Sequence, residues 1–310
     1  MVNNFKPRFC AGLGIVATLM LSGCATPVTM PNPADRGELL RPLTGLAGAR
    51  PGVLPGGTAG RDGYIRLRYP TAVSARGNDV YLVDAGLRRI FRYDRARQTL
   101  TRFTTLTPDA GTSVYAAPDL SVYVIDPARG QVLHFTRDGI PLPSLSSTGN
   151  LARPVAVAVD EVGGRVLVAD GLYDQIVVFN SLGRPLSVIK PQQVRAVAAI
   201  ALGPDGIYVV DRLARQVVAL ERDGTFRHVF GAGDLSEPGA IAVSRGNLVF
   251  VGDNFDHTVK VYRDGLLVSK AGAAPDSFSG IAGLAVDGSL LYVTDSQNAR
   301  VQIMLINHRP

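Results

Sequence analysis

The sequence contains no tryptophan, only two cysteines and only four histidines among its 310 residues. Without tryptophan, the chain lacks the commonest aromatic platform for stacking sugars. Cys10 lies inside an apolar N-terminal stretch and Cys24 follows that stretch, so the remaining chain has no thiol for a disulfide, catalysis or haem attachment. It also lacks a glycine-rich phosphate loop that carries lysine from a strand into a helix. From these absences we expect no cofactor.

The overall amino-acid composition is typical of an ordinary globular protein. Hydrophobic residues make up 46% of the chain and charged residues 19%. The formal net charge of +6 mildly favours acidic partners without identifying one.

Residues 1–23 have the features of a bacterial export signal. Met1–Arg8 is positively charged, and residues 10–21 form an apolar stretch too short to cross a bilayer comfortably. The sequence "LSGC", which ends at Cys24, resembles the lipobox of bacterial lipoproteins, in which this cysteine receives lipid and becomes the mature N-terminus. Because Ala25 rather than aspartate follows, the resemblance implies a location in the bacterial cell envelope, as an outer-membrane lipoprotein facing the periplasm. The alternative is an ordinary signal peptide cleaved nearby.

The next segment, residues 24–62, contains six prolines and many glycines without sustained apolar periodicity. This composition predicts a tether that begins at the lipidated Cys24 and spaces a folded domain, residues 63–310, from a membrane surface.

The folded domain contains one unit repeated six times. A short apolar run that ends in aspartate, such as "VYLVD" at 80–84 or "LYVTD" at 291–295, recurs every 41 to 44 residues. The six aspartates are Asp84, Asp126, Asp170, Asp211, Asp253 and Asp295. Such regular spacing is the signature of a repeat architecture.

Each unit is predicted to form four strands, a to d. Strand a is small and apolar, strand b ends in the repeated aspartate, strand c is hydrophobic, and a tight turn leads to strand d. The tripeptide Arg-Asp-Gly at 137–139, 222–224 and 263–265 suits that turn because Asp-Gly tolerates positive φ. Four-stranded repeats of about 42 residues are typical of β-propeller blades. The predicted fold is therefore an all-β, six-bladed β-propeller.

Two units carry a family resemblance most clearly: Pro154–Asp160 with Val166–Asp170, and Ile281–Asp287 with Leu291–Asp295. They resemble the NHL repeat, in which P-x-x-[IV]-A-V-D precedes [IV]-Y-V-[AT]-D and a basic or asparagine-bearing loop. The second unit departs most, since it lacks the leading proline and has Tyr115 in strand a. The resemblance implies a six-bladed propeller of a family that mostly binds macromolecules, although it has enzyme relatives.

The last unit lacks a fourth strand, because the chain ends soon after its strand c. The strand-like segment Gly63–Tyr69 precedes strand a of the first unit and has no unit of its own. We therefore predict that this N-terminal strand completes the last blade and closes the ring, which leaves no long open edge.

The six aspartates occupy equivalent positions, which favours a structural task in every blade: accepting backbone N–H bonds in the b–c turn. His134, His228, His257 and His308 fall at different places in the repeat and cannot converge on a metal. The segment 252–258, "GDNFDHT", has clustered oxygen ligands but not the spacing of a calcium loop. We expect no catalytic residue and no metal site; a metal-dependent lactonase- or lyase-like enzyme is the alternative.

The b–c loops supply the candidate partner-binding residues. They are Arg88, Arg89, Arg129, Tyr173, Arg212, Arg215 and Arg300. If the ring is correct, all lie on one face, where several guanidiniums can bind carboxylates or phosphates. The sequence thus predicts a monomeric, lipid-anchored scaffold that binds an envelope protein or acidic polymer and no nucleic acid. The alternative is that these arginines only satisfy loop carbonyls and leave a solvated face.

Overall fold

A computed structural model describes residues 39–52, 64–145, 149, 151–272 and 277–307. Over these ranges the secondary structure is entirely β, with 26 strands and no helix, so no helix there can cross a membrane. The six repeated units form six separate sheets, confirming the prediction of an all-β, six-bladed propeller.

The strands follow the predicted order a, b, c, d in each blade. Three strands precede the repeats: β1 (Leu40–Leu46), β2 (Gly48–Pro51) and β3 (Ile65–Arg66). Blade 1 comprises β4 (Pro70–Arg76), β5 (Asp79–Asp84), β6 (Arg89–Asp94) and β7 (Thr99–Arg102). Blade 2 comprises β8 (Ser113–Ala116), β9 (Val122–Asp126), β10 (Gln131–Phe135) and β11 (Pro141–Leu145). Blade 3 comprises β12 (Pro154–Asp160), β13 (Arg165–Asp170), β14 (Gln175–Asn180) and β15 (Pro185–Ile189).

The second half of the ring repeats this pattern until its last blade. Blade 4 comprises β16 (Val197–Gly203), β17 (Gly206–Asp211), β18 (Gln216–Leu220) and β19 (Phe226–Phe230). Blade 5 comprises β20 (Pro238–Val243), β21 (Val249–Asp253), β22 (Thr258–Arg263) and β23 (Leu266–Ala271). Blade 6 comprises β24 (Ile281–Asp287), β25 (Leu290–Asp295) and β26 (Arg300–Ile306), and its fourth strand is β1.

An N-terminal strand closes the ring, but it is β1 rather than the predicted segment Gly63–Tyr69. β1 pairs antiparallel with β26, from Leu40 opposite Ile306 to Leu46 opposite Val301. Leu40 and Leu46 are only 3% and 7% exposed, so burial of both leucines fixes β1 in the last blade. The propeller therefore begins near Leu40, and the expected boundary at residue 63 lies too late in the chain.

The described part of the predicted segment, Tyr64–Tyr69, instead supports the outer edge of blade 1; Gly63 lies outside the described residues. Its strand β3 pairs antiparallel with β2, and β2 pairs in parallel with β7, which widens blade 1 to six strands. Leu67 is buried in the apolar cluster between blades 1 and 6, together with Leu46. Its backbone N–H donates to the carbonyl of Ala47 at 2.8 Å. This segment thus packs beside the closing strand without being part of its sheet.

The inner strands a of all six blades lie around one central channel and run in the same direction. At one end, the Ser296 hydroxyl after strand b of blade 6 donates to the Pro70 carbonyl at 2.7 Å. At the other end, the Gly77 N–H donates to Asp287 Oδ2 at 2.8 Å. All b–c turns therefore lie on one face, called here the b–c face together with the connections that enter strand a. The a–b and c–d turns form the opposite face.

Candidate functional site

The repeated aspartates are buried and join two loops of the b–c face. In blade 4, Asp211 Oδ2 accepts the Arg195 N–H at 2.8 Å, from the connection that enters strand a. Its Oδ1 accepts the N–H groups of Leu213 at 3.1 Å and Ala214 at 3.0 Å, from the b–c turn. Asp84, Asp170 and Asp253 also bind backbone N–H groups from both loops. These carboxylates therefore fix the backbone from which the b–c face is built.

In blades 2, 5 and 6 an arginine or lysine side chain also forms an ion pair with the blade aspartate. The guanidinium of Arg129 lies 2.6 Å from Asp126, and that of Arg300 lies 2.8 Å from Asp295. Two of the seven candidate binding residues therefore form ion pairs inside their own blades. In blade 5, Lys260 fills this place: its Nζ lies 2.5 Å from Asp253 and 3.0 Å from Asp256.

The buried carboxylates make the stability of the ring pH-dependent. Burial alone would raise the pKa of Asp170, but backbone N–H donors outweigh it and hold the pKa below its ordinary value. The pKa of Asp253 is also lowered, because Lys260 and backbone donors outweigh burial. The pKa of Asp160 is lowered as well, because hydrogen bonds from Arg165 and the Gly163 N–H and the positive charge of Arg222 outweigh burial. In the unfolded chain these carboxylates take up protons at higher pH than in the folded one.

We therefore expect the free energy of unfolding to be largest above the ordinary carboxylate pKa of about 4 and to fall as the pH drops below it. Each group contributes about 1.4 kcal/mol for every unit by which its folded pKa lies below its unfolded value. Urea unfolding at pH 7, 5 and 3 measures this. The midpoint should change little between pH 7 and 5 and fall clearly by pH 3; an unchanged midpoint at pH 3 would contradict the assignment.

The b–c face carries an arc of positive charge. Arg88, Arg89, Arg212 and Arg215 are exposed, and none forms an ion pair with a described residue. Five further exposed cations lie in the connections of the same face: Arg66, Arg68, Arg153, Lys190 and Arg195. These cations belong to blades 1, 3 and 4, whereas the exposed acids Asp234, Glu237 and Asp256 belong to blade 5 and exposed Asp109 lies in the connection that enters blade 2. The face therefore has a basic arc and a smaller acidic sector.

Exposed apolar side chains lie on the same face, two of them in blades of the basic arc and one in the acidic sector. Leu172, Leu213 and Phe255 are 57%, 67% and 73% exposed. Each lies two residues after its blade aspartate, and each N–H donates to that aspartate. The candidate Tyr173 is also exposed and follows Leu172 directly. Because the aspartates hold the backbone, these apolar side chains are presented outward. No single repeat indicates that this position is exposed and apolar, although an alignment of the repeats on their aspartates reveals it.

All six b–c turns share one backbone conformation. The residue four positions after each blade aspartate has positive φ, including Arg88 at 52° and Arg215 at 55°. The full set is Arg88, Gly130, Asp174, Arg215, His257 and Ala299. Only one is glycine, although this region costs other residues roughly 1 kcal/mol or more. The turn geometry is therefore imposed by its hydrogen bonds rather than by the local sequence.

The described residues contain no group of three or more His, Cys, Asp or Glu side chains arranged to hold a metal. The clustered acids of "GDNFDHT" surround the Lys260 ammonium, which supplies the positive charge that a cation would bring. His134 stacks on Tyr123 with ring centroids 4.3 Å apart, and burial lowers the pKa of this histidine. His308 lies outside the described residues.

On the opposite face, two Arg-Asp-Gly turns join neighbouring blades. Arg137 Nε lies 2.5 Å from Asp79 of blade 1, and an Arg222 nitrogen lies 2.7 Å from Asp160 of blade 3. The glycines of the three tripeptides have φ between 78° and 97°, as predicted for these hairpins. The sequence indicated the turns, but not that their arginines bridge blades.

No known protein-family model and no curated protein sequence matches the chain. Several solved structures share its fold. A structural-genomics protein of unknown function from Bacteroides thetaiotaomicron has a TM-score of 0.66 at 14% identity, over 86% of this chain and 76% of its own. A catalytically inactive virginiamycin B lyase from Staphylococcus aureus with quinupristin has a TM-score of 0.62 at 12% identity, over 86% of this chain and 99% of its own. A chain of a nidogen/laminin complex has a TM-score of 0.60 at 16% identity, over 78% of this chain and 97% of its own. The likeness establishes the β-propeller fold alone.

Proposed function

We propose that this protein is a lipid-anchored envelope propeller that binds an acidic protein partner through its b–c face. The observation that carries the proposal is that exposed, unpaired arginines and exposed apolar side chains occur on the same face, on rigid turns, and together on the turn of blade 4. In blade 4, Leu213 lies between Arg212 and Arg215. Arginine and aromatic or apolar anchors are what protein interfaces concentrate at their centres.

The apolar side chains favour a protein over an acidic polymer as the partner. A polyanion would need only the guanidiniums, and exposed Leu172, Leu213 and Phe255 would add little to its binding. A protein with a carboxylate-rich patch around apolar side chains would use both. The fixed turn backbone lowers the ordering cost of such binding.

The point at which the chain joins the ring supports this orientation. Leu40 pairs with Ile306, at the end of β26 that lies on the face opposite the b–c turns. Only 15 residues, 25–39, separate Leu40 from Cys24, so a lipid on Cys24 lies at most about 55 Å along the chain from the ring. A tether attached to that opposite face leaves the b–c face free for a partner.

The NHL resemblance belongs to this proposal as well, because it implies a macromolecule-binding propeller. Among the structures of similar fold, one is a complex between proteins and another is a lyase. A metal-dependent activity needs a group of ligands, and the described residues contain no group of three or more His, Cys, Asp or Glu side chains arranged to hold a metal. Complex formation therefore accords better with the exposed face than a lactonase- or lyase-like activity does.

The test places a photo-crosslinking amino acid at Leu213 in the full chain and irradiates native membranes. We expect a discrete protein adduct that disappears when Arg88, Arg89, Arg212 and Arg215 are replaced by glutamate. The matched control position is Leu182, which is similarly exposed but lies in a c–d turn on the opposite face. No equivalent adduct should form there.

A second control separates charge from position. Arg184→Glu with Arg263→Glu reverses two exposed arginines of the opposite face and should leave the Leu213 adduct unchanged. Circular dichroism must show that each variant retains its β-sheet spectrum. Adducts that survive charge reversal of the b–c face would overturn the proposal, and a heterogeneous polysaccharide adduct would assign the face to an acidic polymer.

A further inference from the structure

The central channel encloses a cavity of about 610 Å³, lined by strand a of every blade. This volume lies within the range of small-molecule sites, about 300–1,000 Å³. Most of the lining side chains are alanine, valine or other small apolar residues. The lining side chains are thus largely apolar, and the few charged and hydroxyl-bearing ones stand out.

Three hydrogen-bond donors of blades 1 and 2 line the cavity. The Arg76 Nε is buried and has no partner among the described residues. The Ser74 Oγ accepts the Ala116 N–H at 2.9 Å, and its own proton reaches no acceptor in the described part of the chain. The Tyr115 hydroxyl likewise accepts the Val159 N–H at 3.4 Å and keeps its proton to donate. Burial raises the pKa of Tyr115, which keeps this hydroxyl protonated at neutral pH.

Most acids of this end of the channel are already engaged. Asp160 accepts Arg165 and Arg222, each at 2.7 Å. Asp287 accepts the Gly77 N–H, and Glu161 is exposed at the rim. Arg245 adds an exposed guanidinium to the lining. Neither an acid nor a carbonyl among the described residues accepts the Nε–H of Arg76.

These donors occur once in the ring. The residue of strand a equivalent to Tyr115 is Ser74 in blade 1 and alanine in the other four blades: Ala158, Ala201, Ala242 and Ala285. Blade geometry therefore does not require the phenol. A buried guanidinium N–H without an acceptor is costly, and a bound anion would satisfy the Nε of Arg76.

We propose that the channel binds a small carboxylate with an apolar body. The carboxylate accepts hydrogen bonds from Arg76, Ser74 and Tyr115, while the body lies against the alanine and valine side chains. This site is separate from the b–c face and does not depend on the function proposed for it.

Isothermal titration calorimetry of the purified full-length protein with matched acid and alcohol pairs tests the site: butanoate, octanoate and benzoate against the corresponding alcohols. We expect one equivalent of at least one acid to bind, and its alcohol to bind at least tenfold more weakly. Arg76→Gln should weaken acid binding more than about tenfold, because it removes a charged hydrogen-bond donor from an apolar site. Tyr115→Phe removes one hydroxyl only and should weaken it about three- to tenfold.

Arg263→Gln is the matched control, since this exposed arginine of the same face lies outside the channel. It should bind the acid as the unaltered protein does. Should Arg76→Gln fail to fold, Tyr115→Phe decides. The proposal is overturned if no acid binds, if alcohol and acid bind equally, or if Tyr115→Phe and Arg76→Gln leave binding unchanged.

Discussion

A chain that begins at Ala47 is expected to lose the closed propeller, whereas one that begins at Leu39 keeps it. The two chains differ only by residues 39–46, which contain the whole of β1. Removing β1 exposes the edge of β26 and uncovers the cavities that Leu40 and Leu46 fill. Each buried leucine contributes about 2–5 kcal/mol, so the loss is comparable to the whole stability of a typical domain, about 5–15 kcal/mol.

Both chains are to be produced without the export signal and compared by urea unfolding and by amide hydrogen exchange. The chain from Leu39 should unfold cooperatively with protected amides in β24–β26. The chain from Ala47 should show unprotected amides in that blade and aggregate through its open edge. Equal stability of the two chains would show that β1 does not close the ring, and would restore the segment Gly63–Tyr69 as a candidate.

Replacing Asp253 with alanine is expected to destabilise the protein by about 3–5 kcal/mol, the cost typical of leaving a buried charge without its partner. The stranded charge is Lys260, only 1% exposed, which would keep Asp256 alone as a counter-ion. Lys260→Met should cost less, since backbone N–H groups of Ser236, Glu237 and Phe255 still hold Asp253. Asp211, which forms no ion pair with a described residue, shows that such N–H groups suffice to hold a blade aspartate.

The pair of substitutions in one chain gives the decisive comparison. Asp253→Ala with Lys260→Met should be more stable than Asp253→Ala alone, because no unpaired ammonium remains. Urea unfolding of the four proteins yields the coupling free energy, expected to be at least about 2 kcal/mol. Strictly additive losses would show that the ammonium and carboxylate do not depend on one another.

The repeat made the ring predictable, because six aspartates at nearly constant spacing specify six copies of one sheet. The closing strand was not predictable in the same way. β1 belongs to no repeat, contains Pro42, and pairs with β26 across more than 250 residues. Its place depends on the burial of Leu40 and Leu46 in clusters formed by other blades, which no local pattern of the sequence reports.

The candidate site residues were likewise predictable from the repeat only in part. The repeat placed the b–c arginines on one face, but only side-chain geometry separates Arg129 and Arg300, which pair within their blades, from exposed Arg88 and Arg212. Tyr115 was visible in the sequence only as a departure from the repeat. Its relation to Arg76 depends on which side chains reach the channel, which strand assignments do not determine.

The aspartates of the b–c turns hold the backbone and leave the side chain two residues further on out of their hydrogen bonds. In blades 3, 4 and 5 the aspartate binds the backbone N–H of the residue two places further on, whatever its side chain, which is leucine or phenylalanine. The equivalent residue is glycine, alanine or glutamine in the other blades, and only at Gly86 would an added Cβ meet the backbone, 3.1 Å from the Tyr69 nitrogen. One framework of sheets can therefore present different side chains at this place, so the framework alone does not determine what the b–c face binds.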